Sequence, residues 1–179
     1  MRETATCFTI AENGEHGRFY LTEGTEPDGR GGTTYWCVLV CHTTFGTVGH
    51  TWNSMGRPAA QFLAKIGKDY LLDKLWGLDS DVYDEDTGRA GLAGLIFEQR
   101  RQNGWGRDAA RTAFDELIET ELSSREQFFA LAYGSTFFPL CVDGGPTHTV
   151  ANPQAVGFWE QLWPAFIAEL TTGVEACHA

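Results

Sequence analysis

The hydrophobic period of this chain changes at Pro58, and that change limits the folds open to it. Ahead of Pro58 the apolar residues alternate. Thr4–Glu12 sets Phe8 and Ile10 against Cys7 and Thr9, the period of a half-buried strand. The turn signal Asn13-Gly14-Glu15-His16-Gly17 follows, and Arg18–Thr22 returns as a second strand. Glu23–Gly32 reads as a polar, glycine-rich hairpin loop. Thr33–His42 (TTYWCVLVCH) is apolar on both faces, which suits a central strand covered by helices. Thr47–Asn53 alternates Val48, His50 and Trp52 against Thr47, Gly49 and Thr51. The expectation is an antiparallel meander of about four strands.

Beyond Pro58, Phe62, Leu63, Ile66, Tyr70, Leu71 and Leu75 recur at intervals of three and four, and Pro58 suits a first helical turn. Gly67 is predicted to split this run into two short helices, the second capped by Asp69. Asp79–Gly88 reads as a polar, acidic link. Helices are predicted over Thr87–Asn103, Arg107–Leu122 and Ser124–Tyr133. The middle one has Ala110, Ala113, Phe114, Leu117 and Ile118 on one face and Asp115, Glu116 and Glu119 on the other. Phe137–Val150 reads as irregular. Asn152-Pro153 looks like the cap and first residue of a final helix bearing Trp159, Leu162, Trp163, Phe166 and Leu170, which Pro164 should kink or end early. The sum is an α+β fold: an N-terminal sheet followed by a helical second half packed on it. The expectation is a single domain over 1–179, with 1–56 mainly β and 57–175 mainly α.

At 179 residues with 42% hydrophobic side chains, such a chain buries enough surface to fold without disulfides or metals. No apolar run approaches the length of a membrane span, and no signal peptide is read at the start, so the expected home is a reducing cytoplasm. The net charge is −11, and residues 101–179 hold ten acidic against four basic side chains. A field of that sign repels nucleic-acid phosphates and anionic membranes and attracts basic surfaces.

Tests for chemistry return little. Cys7, Cys37, Cys41, Cys141 and Cys177 contain no CxxC pair. Cys37 and Cys41 would lie about 13 Å apart along a strand, too far to bridge or to share a zinc ion. A Cys41 pairing with His50 or His148 has no local nucleophile turn behind it. The run Asp79, Asp81, Asp84, Glu85, Asp86 fails the calcium-loop pattern, with Tyr83 and Asp84 where an oxygen donor and a glycine belong. Gly46, Gly49 and Gly56 match no phosphate-binding pattern, and Gly49 is read as a close backbone approach or bulge near Trp36 or Trp52. His50 is open to two readings, a packed histidine or a site residue. Arg100-Arg101 with Trp105 and Arg107 is a basic patch interleaved with an aromatic, read as a helix-terminal pair facing the dipole. No cofactor or metal is expected.

The block Phe45-Gly46…Trp52…Gly56…Phe62-Leu63…Asp69-Tyr70-Leu71-Leu72…Lys74-Leu75, with the closing Phe158-Trp159-Glu160-Gln161-Leu162-Trp163-Pro164, resembles uncharacterised accessory proteins encoded by phages and prophages. That family brings no reaction or catalytic residues. What the resemblance implies is a setting in which small acidic proteins act as anti-CRISPR or anti-restriction inhibitors, binding the basic surface of a host protein or ribonucleoprotein complex. The expected contacts are Asp79, Asp81, Asp84, Glu85, Asp86, Glu116 and Glu119, without direct nucleic-acid binding. Two alternatives stand beside it. One is a small hydrolase or transferase using His50 with a carboxylate; the other is a self-associating accessory protein burying Trp159 and Trp163.

Overall fold

The computed structural model describes residues 4–102, 104–141 and 145–176, so Asn103 and Cys177 lie outside the described residues. The chain divides into two compact units, one formed by 1–80 with 152–179 and the other by 81–151.

The first unit is built on a four-stranded antiparallel sheet in chain order, β1 (Thr6–Glu12), β2 (Glu15–Pro27), β3 (Thr33–Thr43) and β4 (Gly46–Met55). Asn13 and Gly14 both take positive φ, 52° and 87°, in the two-residue turn joining β1 to β2, which is what an Asn-Gly pair favours. β2 runs on through residues 23–27, where a loop was expected, because Glu23–Pro27 pairs with β3 down to Thr33. Near the end of β4 the alternation breaks. Tyr35 pairs with Met55 but Cys37 with Trp52, so β4 carries one extra residue, a bulge that turns both Trp52 and Met55 inward although they are three apart.

Only one face of β3 is packed. Cys37, Leu39 and Cys41 are fully buried, whereas Val40 on the opposite face is 39% exposed, so the expectation of a strand covered by helices holds on one side alone. Gly49 does sit at a close approach, but to backbone: a Cβ there would stand 2.9 Å from the Leu39 carbonyl oxygen. The glycine under Trp36 is Gly24 instead.

The sheet's inner face receives α1 (Ala59–Leu63), α2 (Lys68–Trp76) and a C-terminal helix. Gly67, not Asp69, is the N-cap of α2, and Asp69 lies in its first turn. The block quoted above turns out to be core and turn architecture. Gly46 takes φ 120° in the β3–β4 turn. Trp52 Nε1 donates to the Tyr70 hydroxyl at 3.1 Å, and the Trp52 ring meets Phe62 edge-on. Leu63, Leu71, Leu72 and Leu75 are all buried.

The chain returns to this unit at Asn152. Its backbone N–H donates to the Ser80 carbonyl and its side-chain amide to that of Asp79, while its Oδ1 accepts from Gln154 N–H at 2.9 Å. It thus caps α6 (Pro153–Gly157) as expected. Pro164 does not end the helix. A π turn, Phe158–Leu162, precedes α7 (Trp163–Ala176). The wider turn accommodates a residue that has no N–H to donate and whose ring would press on the carbonyl one turn back.

The second unit begins and ends on a short antiparallel pair, β5 (Asp81–Tyr83) with β6 (Thr149–Ala151). β5 falls within what reads as a link, and β6 begins inside the stretch 137–150 expected to be irregular and ends one residue past it. Three helices, α3 (Glu85–Arg101), α4 (Arg107–Glu119) and α5 (Arg125–Ala132), enclose Leu92, Ile96, Ala113, Leu117, Leu122, Phe128 and Phe137. α4 ends at Glu119, so Leu122 is buried beyond it, and Ile118 is 64% exposed rather than inward. Ser124 and Gln127 form a reciprocal capping box at the start of α5.

Candidate functional site

The acidic residues singled out from the sequence differ in what they do. Asp84 is the N-cap of α3, its Oδ1 accepting the Thr87 N–H at 2.8 Å. Hydrogen bonds from the Thr87 side chain and backbone hold its carboxyl below the usual range. Glu85 accepts from Arg89 Nε at 2.9 Å. The same guanidinium donates to the Leu117 and Thr120 carbonyls, which brings Glu85 to the last turn of α4, the turn carrying Glu116 and Glu119. Asp81, Asp86 and Glu119 are exposed in the second unit, and Asp79 is exposed in the first. None of these four is in an ion pair among the described residues.

His50 is half-buried on β4, on the inward side of the strand opposite Leu39, its ring edge-on to Trp52 at 4.7 Å. Burial and the Lys74 ammonium push its pKa below the ordinary histidine value, against smaller opposing effects from Asp73 and the Lys74 backbone. The sign of the consequence follows. A lowered folded-state pKa means that the unfolded chain takes up this proton first, so His50 destabilises the fold as pH falls from just above 6.5 toward the lowered value. His50→Gln is expected to flatten that part of a stability-against-pH curve measured by urea denaturation, and an unchanged curve would count against the assignment.

The two thiols of β3 are held protonated by their burial. Burial pushes Cys37 up to about 12 and Cys41 well above the ordinary thiol range. Cys41 lies opposite Val48, not His50. His148 stacks on Phe128 at 4.7 Å in the second unit and bonds through Nδ1 to the Pro146 carbonyl. Among the described residues no three His, Cys, Asp or Glu side chains are grouped to hold a metal ion. Trp163 is 3% exposed in the first unit's own core, stacked with the half-buried Trp159, so it offers no surface for self-association.

The second unit contains an arrangement that the sequence did not disclose. α3 and α4 frame an open groove of about 400 Å³. Its floor is Ile96, Phe97, Ala110 and Phe114, and its rim carries Arg100, Arg107 and Arg111, with Asp115 beside Arg111. Phe97 is 59% exposed, its ring 5.8 Å from that of Phe114. Arg100 and Arg107 were visible as part of a basic patch. Phe97 and Arg111 join them only through the packing of the two helices.

A sheet packed on one face, a helical unit framing an arginine-rimmed groove, and carboxylates left facing solvent make up an α+β protein. Among the described residues no helix is long and apolar enough to cross a membrane. The family model Phage_phiTE_072, described as a phage family, matches residues 37–171. The chain belongs to that phage family. Comparisons with curated proteins and with solved structures return no match.

Proposed function

We propose that this phage-family protein acts by binding: an anti-CRISPR-like inhibitor that docks on a host defence complex in the cytoplasm of the infected cell, its carboxylates standing in for nucleic-acid phosphates. The observation that carries the reading is the set of exposed carboxylates Asp79, Asp81, Asp86 and Glu119, in no ion pair among the described residues, on a chain of net charge −11. Charges in water attract over roughly 8 Å at physiological salt, so a basic nucleic-acid channel is the surface such residues find first.

The test is capture of purified defence complexes at low and high salt, with and without Asp79→Asn, Asp81→Asn, Asp86→Asn and Glu119→Gln combined. Asp84 and Glu85 are left intact because one caps α3 and the other pairs with Arg89. The combined variant is expected to weaken capture on the order of tenfold or more, and salt to do likewise. Capture indifferent to both would remove the phosphate-mimicry mechanism.

A further inference from the structure

We propose that the groove between α3 and α4 is a docking site for a short acidic peptide segment of a partner protein, anchored by an apolar or aromatic side chain. The inference is independent of the anti-defence reading, since the arginines here and the carboxylates there are different residues.

Charge is the first argument. Residues 81–151 hold twelve acidic and six basic side chains, all six of them arginine. Three of the six, Arg100, Arg107 and Arg111, ring one groove. Gathered at one groove, these cations repel one another, a cost that an anionic ligand would relieve. Arg100 and Arg107 are in no ion pair among the described residues, and Arg111 reaches Asp115 only at 3.9 Å with both side chains well exposed, a contact worth little. α4 adds to the field. Its N-cap, Gly106, supplies no side-chain bond, so among the described residues the first-turn N–H groups lie beside Arg107, sharing that turn with the Asp108 carboxylate.

The apolar floor is the second. Phe97 leaves 59% of its surface in water, next to the half-buried Phe114. Guanidinium groups around such a floor match a ligand that is anionic at its flanks and apolar at its centre. Arg107 and Arg111 stand one turn apart on α4, with Arg100 across on α3, so acidic residues on either side of one anchoring side chain would each meet a guanidinium. A nucleotide fits less well. Among the described residues the lining polar side chains are three guanidiniums and one carboxylate, with no amide or hydroxyl to read the edge of a base.

The experiment uses the full chain. Peptides are selected from a random phage-displayed library and enriched sequences resynthesised. In parallel, fluorescein-labelled Glu-Asp-Asp-Phe-Asp-Glu is titrated by anisotropy beside two controls, one with Phe replaced by Ser and one with every acid replaced by its amide. The expected result is enrichment of acidic peptides with an aromatic or large aliphatic residue, and binding of the parent peptide but neither control. Arg107→Glu with Arg111→Glu, and separately Phe97→Ser, should weaken binding at least tenfold with the thermal transition retained, as all three positions are exposed. Three results would overturn the proposal: no enriched peptide and no binding of the labelled one, binding unchanged in both variants, or displacement of the peptide by micromolar ADP or inorganic phosphate.

Discussion

Phe166→Ala is expected to destabilise the sheet unit by about 3–5 kcal/mol, a large fraction of what a domain of this size has to lose. Phe166 is fully buried. Its ring lies 4.4 Å from that of Phe19 and 9° from parallel, while Phe8 meets it edge-on at 5.4 Å and Trp163 packs at a tilt 5.3 Å away. Truncation removes both the buried area and these ring contacts. The cavity has little means of closing, because Phe8 and Phe19 are held by the β1–β2 ladder, where they face each other across the pair. The measurement is a urea midpoint, with hydrogen exchange of the β1 and β2 amides to place the loss. Phe97→Ala, at an exposed position, is the control and should cost well under 1 kcal/mol in the same assay. Equal losses at the two positions would contradict the packing of α7 on the sheet.

How much of this fold could be read beforehand depends on what kind of physics each feature rests on. The change of period at Pro58 is local, and the four strands, the two short helices and the Asn152 cap all follow from it or from residue chemistry within a turn. Features set by pairing at a distance did not show. β2 reaches Pro27 because Thr33–Tyr35 offers it a partner, not because Glu23–Pro27 looks like a strand. The bulge that buries Met55 interrupts an alternation that looked regular through Trp52. Asp81–Tyr83 forms a strand only through Thr149–Ala151, more than sixty residues on. Pro164 is tolerated because a π turn absorbs it, which propensity alone does not foretell.

The candidate sites divide in the same way. The acidic run from Asp79 to Asp86 is conspicuous in the sequence, yet Asp84 and Glu85 have structural work within it that composition does not distinguish from solvent exposure. The phage-like block is equally conspicuous, and its Trp52 and Tyr70 meet in a hydrogen bond that holds α2 to β4. The arginine-rimmed groove was missed for an opposite reason. Its parts are spread over residues 96–115 on two helices, and an overall charge of −11 hides a local cluster of three cations. The available signal was the pairing of Phe97 with Arg100 and of Arg107 with Arg111, at spacings of three and four, which place each pair on one helix face.

Arg89→Met is expected to cost the helical unit about 3 kcal/mol, far more than a surface ion pair would account for. The Arg89 side chain is 29% exposed and makes three bonds, to Glu85 at 2.9 Å, the Leu117 carbonyl at 2.6 Å and the Thr120 carbonyl at 2.8 Å. The Glu85 bond is the weakest in effect, since that carboxylate is 43% exposed. The two carbonyls matter more. Both sit at the C-terminal end of α4, where no further helical N–H is available to them, and a cation there also opposes the dipole. Methionine keeps much of the buried stem but leaves both carbonyls without this donor. Arg89→Lys should recover part of the loss, because one ammonium cannot reach two carbonyls and a carboxylate with the planar fork's geometry. Urea denaturation read with hydrogen exchange in α4 measures the effect. The position of the clamp gives the result a second use. Arg89 joins the start of α3 to the end of α4, whereas the groove lies at the opposite end of the same antiparallel pair, between Phe97–Arg100 and Arg107–Arg111. Loosening the clamp disturbs the spacing of the groove's two walls without touching its arginines, so peptide affinity should fall in Arg89→Met and recover in part with Arg89→Lys.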